Sequence, residues 1–214
     1  MEILWLEVAD PPELWRELGF TVGESPGGGS SCVVNGVEHR LVGRAGTRRG
    51  VIGWGVRGID GDIVSIDGIT TTVVNESEPA PSTDHANGVF RIDHLVVRTP
   101  STPRTAAALE SIGLEIRGGR TTNSAGTSVD MRFAWAGGTL LELAGPPSPE
   151  DEAKPARLAG IAYATNDLDA TAAFLGDRST TPVDAVQPGR RIAAVRSEVG
   201  STVPIAFMTP HVKA

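Results

Sequence analysis

The sequence predicts an α+β fold made of tandem β-α-β-β-β units. Four stretches open alike: ILWLEVADPPELWRELGF from Ile3, VIGWGVRGIDGD from Val51, RIDHLVVRTPSTPRTAAALESIGL from Arg91 and LAGIAYATNDLDATAAFLG from Leu158. Three of the four pass from an apolar β-run through a polar or proline-containing turn into a short helix that stops at glycine, and such repetition of one supersecondary unit sets the architecture. Breaks at 23–31, 76–88 and 146–155, rich in Gly, Pro and polar residues, partition the chain, with 76–88 as the main linker.

The unit spanning 89–146 is the cleanest. A strand over 91–98 leads to a helix over 102–112, where Ala106, Ala107, Ala108 and Leu109 favour helix and Gly113 ends it. Strands follow over 114–118, 129–135 and 139–144, with a loop over 123–127. The unit spanning 157–210 repeats the plan. Its strand over 158–165 meets Asn166-Asp167, a good helix start, then a helix over 168–175, Gly176, and strands near 190–197 and 203–208. The prolines of TTPVDAVQPG predict an edge strand or an irregular loop at 180–189.

Residues 1–86 read as a worn half with two abbreviated units, and 87–214 as the better-kept half. The first unit has its strand, a short helix at PPELWREL with proline in the first turn, and a hairpin around Asn35-Gly36. In the second, DGDIVSIDG after the strand from Val51 has too little periodic apolar character for a helix.

Composition narrows the function classes. The chain has 214 residues, 40% hydrophobic and 21% charged, ordinary for a soluble globular protein. No apolar run reaches the length of a membrane span, and the Met1-Glu2 start lacks the basic stretch of a secretory signal. The single cysteine, Cys32, excludes an internal disulfide and fits a reducing compartment, which makes cytoplasm the expected address. A net charge of −7 disfavours a nucleic-acid surface. Arg44, Arg48 and Arg49 read as a solvated loop, and the acidic balance is compatible with a cationic small ligand. GWGVRG has G-x-G-x-x-G spacing, but no helix follows and Trp54 would crowd a pyrophosphate, so it is no dinucleotide site.

Tandem β-α-β-β-β units, with IDHLVV on a first strand and GTLLELAGP on a fourth, resemble the vicinal oxygen chelate superfamily, which includes glyoxalase I, extradiol dioxygenases, methylmalonyl-CoA epimerase and the bleomycin-resistance proteins. The resemblance is clear over 87–210 and weak over 1–86. It implies curled mixed sheets around a cleft, helices on the convex face, and metal ligands on first and fourth strands.

Strand alternation tests this independently. It groups Ile92, His94 and Val96 on one face and Asp93, Leu95 and Val97 on the other, and places Glu142 with His94 on the concave side. Both are ligand types that Zn, Mn, Ni or Fe(II) accept. The last unit departs: Gly160 stands opposite His94 and Ala206 opposite Glu142, so the pair of units supplies two ligands where three or four are needed. Symmetric pairing of two chains would bring in a second His94 and Glu142.

Two functions follow. One is a metal-dependent lyase, isomerase or dioxygenase with His94 and Glu142 as catalytic and metal-binding residues. The other is a metal-free protein that binds or sequesters a small organic molecule. In either, Arg132 is a natural partner of Glu142, one arginine of the Arg190-Arg191 pair, taken as Arg191, reaches the ligand, and Tyr163, Ala206 and Met208 line the pocket. Without metal, His94 and Glu142 can still move protons. His39 reads as part of an exposed hairpin, and His85 and His211 as having no partner nearby in sequence.

Overall fold

The computed structural model describes residues 1–75, 80–124, 126–150 and 153–211. Residues 76–79 of the expected linker, Ala125 in the expected 123–127 loop, 151–152 of the second connector and 212–214 lie outside the described residues.

The first half contains β1 (Glu2–Val8), α1 (Pro12–Glu17), β2 (Gly23–Glu24), β3 (Ser30–Val34), β4 (Val37–Leu41), β5 (Val51–Arg57), β6 (Ser65–Ile66) and β7 (Ile69–Val73). The second contains β8 (Val89–Arg98), α2 (Thr102–Glu110), β9 (Ile116–Ser124), β10 (Thr127–Ala136), β11 (Thr139–Gly145), β12 (Arg157–Thr165), α3 (Leu168–Leu175), β13 (Val183–Asp184), β14 (Arg191–Ala194) and β15 (Ile205–Met208). The local signals act as expected at the helices. Ser101 caps α2 by accepting from the Arg104 N–H, and Asp167 caps α3 by accepting from the Ala170 N–H at 3.0 Å. The hairpin of β9 and β10 is longer than its sequence suggests. Thr121, Thr122 and Asn123 pair with Asp130, Val129 and Ser128, so the expected loop shrinks to the turn beyond Ser124.

Each half forms one mixed sheet. The strand orders are β2-β3-β4-β1-β5-β7-β6 and β9-β10-β11-β8-β12-β15-β14-β13. The first strand of every unit runs parallel to its last, in the pairs β1/β4, β5/β7, β8/β11 and β12/β15. The two first strands of each half meet antiparallel at the sheet centre, as β1/β5 and β8/β12. Both sheets are thus the same construction, an α+β fold of tandem modules.

The two sheets share one core. Leu6, Trp54 and Val56 from the first and Leu95, Val97, Leu141, Leu143 and Phe207 from the second are all buried in it. At their junction Phe20 lies 5.1 Å from Tyr163 and 6.4 Å from Phe207, ring centre to ring centre. Trp15 of α1 lies 5.4 Å from the His39 ring, which lies 5.8 Å from Tyr163. A polar clasp adds to the seam: the Asp10 carboxylate accepts from the Ser201 hydroxyl at 2.7 Å and the Thr202 N–H at 2.8 Å.

His39 and His85 depart from expectation. His39 is fully buried in the seam, not exposed on a hairpin, because it alternates in phase with buried Val37 and Leu41. His85 is also buried, and its partners are remote in sequence. Its Nδ1 accepts from the Thr21 N–H at 3.1 Å, and its Nε2 lies 3.2 Å from the Val33 carbonyl, pinning the linker to the first half. Among the described residues no helix is long and apolar enough to cross a membrane.

Candidate ligand-binding site

The centre of the second sheet carries His94 on the face away from the seam. Ala162 on β12 and Leu140 on β11 are its direct neighbours across the sheet. Glu142, two residues beyond Leu140, lies on the same face, opposite Phe133 of β10. Ala162 pairs with Ala206, and Ala164 with Met208, which adds those two side chains to the face. Four of the seven expected residues, His94, Glu142, Ala206 and Met208, therefore share one surface.

The other three lie elsewhere. Tyr163 alternates with Ala162, so its ring points into the seam, where it is fully buried and its hydroxyl has no hydrogen-bond partner among the described residues. Removing that hydroxyl removes an unsatisfied buried group, so Tyr163→Phe is expected to raise stability by about 1 kcal/mol in urea melts. A loss of stability would show that the hydroxyl has a partner. Arg132 pairs with Leu143, whose side chain is buried in the core, and its Nε lies 3.4 Å from Asp130, which itself accepts from Thr102 of α2. It is on the helix face, away from Glu142. Arg191 is bonded to Asp169 of α3 at 2.7 and 3.0 Å, also on the helix face.

Asp93 and Arg190 take part instead. On β8, Ile92 pairs with Tyr163 and His94 with Ala162, so Asp93 is an extra residue without a partner across the strand. This bulge puts two successive side chains on one side. The Asp93 carboxylate lies 3.1 Å from Nδ1 of His94. Arg190, itself buried, clamps the same carboxylate with both terminal nitrogens at 2.6 and 3.1 Å, and also donates to the Thr209 carbonyl and to Gln187. Burial pushes the Asp93 carboxyl up, but hydrogen bonds from His94 and Arg190 outweigh it and hold the group well below the usual carboxylate range.

With Asp93 ionised, a neutral His94 carries its proton on Nδ1 and its lone pair on Nε2. Glu142 has the opposite environment. Burial raises its pKa, the charges of His94 and Arg120 only partly offset this, and Asp93 adds to it. The arginine that acts on Glu142 is Arg120, which leans on the Phe133 ring at 5.7 Å. A cavity of about 540 Å³ lies apart from His94 and Glu142, between Glu110 of α2 and the β9–β10 strands, where Asp130 and Arg132 line it.

The donor set does not fit a resident metal. Strand register makes Gly160 and Ala206 the counterparts of His94 and Glu142, because Gly160 pairs with Val96 as Ala162 pairs with His94. Neither counterpart offers a ligand atom. Among the described residues no group of three or more His, Cys, Asp or Glu is arranged to hold an ion, and a stable site needs three or four. The first half offers no substitute. Trp5 pairs with Glu38 and Gly55 as His94 pairs with Leu140 and Ala162, so Trp5 and Arg40 stand where His94 and Glu142 stand in the second half. Arg40 stacks on the Trp5 ring at 4.2 Å, and a β-carbon at Gly55 would fall 2.1 Å from that ring. The indole fills its own cup.

Solved structures share this architecture. A variant of 4-hydroxymandelate synthase from Streptomyces coelicolor matches over 100% of this chain and 93% of its own, with a TM-score of 0.65 and 14% identity. Methylmalonyl-CoA epimerase from Mycobacterium tuberculosis matches over 59% of this chain and 92% of its own, with a TM-score of 0.47 and 15% identity. No protein-family model matches, and no curated protein does. The chain has the glyoxalase-like fold that the resemblance of its motifs implied.

Proposed function

We propose that the face of the second sheet bearing His94 binds a small organic molecule without a resident metal, with His94 as the group that accepts a hydrogen bond or a proton from it. The observation that carries this reading is the Arg190–Asp93–His94 chain. A buried, clamped carboxylate fixes the tautomer of the neutral imidazole and leaves one lone pair beside the apolar side chains of Val96, Leu140, Ala162, Ala206 and Met208. An apolar surface with a few convergent polar groups suits a small ligand. Glu142 supports the same reading, since it shares the face of His94 and burial raises its pKa, which eases proton uptake. Such an acid and base pair serves isomerase- or lyase-type proton transfer.

Trp135 pairs with Leu140 and is exposed, so it reports on this face by fluorescence. Compounds found by ligand-observed NMR are expected to bind at least tenfold more weakly to His94→Ala and equally well to Arg191→Ala. Hits indifferent to His94→Ala would refute the site. One divalent ion per chain, lost in both His94→Ala and Glu142→Gln, would refute the metal-free reading.

A further inference from the structure

The net charge is −7, yet the proposed binding face carries two arginines that no acid among the described residues pairs with. Arg98 of β8 and Arg157 of β12 are direct cross-strand partners. The next pair, Val97 and Leu158, is buried in the core, so alternation sends both arginines to the side of Val96 and His94. Both are exposed, and neither makes an ion pair or a hydrogen bond among the described residues. Arg120, opposite Met131 and over the Phe133 ring, is a different case, because the Glu142 carboxyl interacts with it. Asp93 and Glu142 do not balance the Arg98–Arg157 pair: Asp93 is taken by Arg190, and Glu142 interacts with His94 and Arg120.

Like charges set directly opposite in a sheet repel and cost stability. Two guanidinium forks side by side present many free N–H donors in the planar geometry that suits carboxylate and phosphate oxygens. We propose that the ligand of this face is an anion, with its carboxylate or phosphate group held between Arg98 and Arg157 and its body lying over Val96 and Gly160 toward His94. Arg98 stands four positions along the strand from His94, roughly 13 Å. Arginine reaches back over part of that distance, so the ligand is an elongated organic acid or phosphate ester rather than a bare ion. This assignment rests on the ligand-binding reading above, but its arginine pair is tested separately.

Sodium phosphate and sodium succinate, each at constant ionic strength, serve as probes, read by thermal melting and by amide chemical shifts. The wild-type protein is expected to melt at higher temperature with at least one of them, with shifts at residues 96–98 and 157–160. Arg98→Gln/Arg157→Gln is expected to bind at least tenfold more weakly and, with repulsion removed, to melt no lower than wild type in anion-free buffer. A response to phosphate alone, or to succinate alone, identifies the anionic group. No response from wild type, or an equal response from the double variant, overturns the proposal. His94→Ala separates the two readings. If it keeps the anion response while organic ligands ignore His94, the arginine pair stands and the imidazole's role falls. If the double variant responds as wild type does while His94→Ala abolishes organic binding, the reverse holds.

Discussion

Lowering the pH from 7 to 4 is expected to remove about 3 kcal/mol of stability through His39 alone. Burial in the seam lowers its pKa from 6.5 to about 4, and the hydrogen bond from Nδ1 to the Val37 carbonyl, 3.1 Å long, offsets this only in part. Among the described residues Nε2 has no partner within hydrogen-bond geometry, and only a weak interaction with the Cys32 backbone adds to the offset. Between those two pH values the unfolded chain binds a proton that the folded chain refuses, so stability rises with pH across the window, at about 1.4 kcal/mol per pH unit. The contribution is complete above pH 6.5 and vanishes toward pH 4. His85, also lowered by burial, acts in the same direction. Urea melts at pH 7, 5.5 and 4.2 are the measurement, with His39→Leu as the comparison. The variant should show a much flatter profile above pH 4. An equally steep profile would place the acid sensitivity elsewhere, and an imidazole NMR titration near 6.5 would exclude His39 directly.

Arg190→Met should be the most damaging single change at the proposed site. It leaves the buried Asp93 carboxylate with only His94 and the more distant Arg91, at 3.9 Å, in place of a two-nitrogen clamp. Removing one partner of a buried ion pair costs about 3 kcal/mol or more, mostly because the other charge is stranded. Asp93→Asn combined with Arg190→Met removes both charges and is expected to recover most of the loss. A single variant within 1 kcal/mol of wild type, or a double variant no better than the single, would mean that the pair carries little weight. The carboxylate also makes the effect pH-dependent. Its folded pKa is lowered, so its contribution is present above about pH 4, the ordinary aspartate value, and is lost as the pH falls further.

The repeated unit was legible because its signals are local: an apolar run, a cap, a glycine stop. The site was legible in part. His94 and Glu142 fall on one face by alternation, and so do Ala206 and Met208. Asp93 was hidden by the bulge, which breaks the period-two rule that assigned it to the packed side. A charge among Ile92, Leu95 and Val97 was nonetheless a signal, since an unpaired carboxylate does not belong in a core. Arg190 was missed in favour of Arg191 because β14 begins at Arg191, and the turn before it sets where Arg190 points. Arg132 and Tyr163 could have been placed correctly. The two-residue turn at Gly137-Gly138 fixes Phe133, not Arg132, opposite Glu142. Counting from Gly160 puts Tyr163 on the far side of its strand. His39 likewise follows from Val37 and Leu41.

The rings of Phe20, Tyr163 and Phe207 make each half the missing wall of the other. A chain beginning near Asn87 would hold its proposed ligand-binding residues in sequence but present Tyr163 and Phe207 to water. The first half is thus the lining that keeps those rings of the second from water.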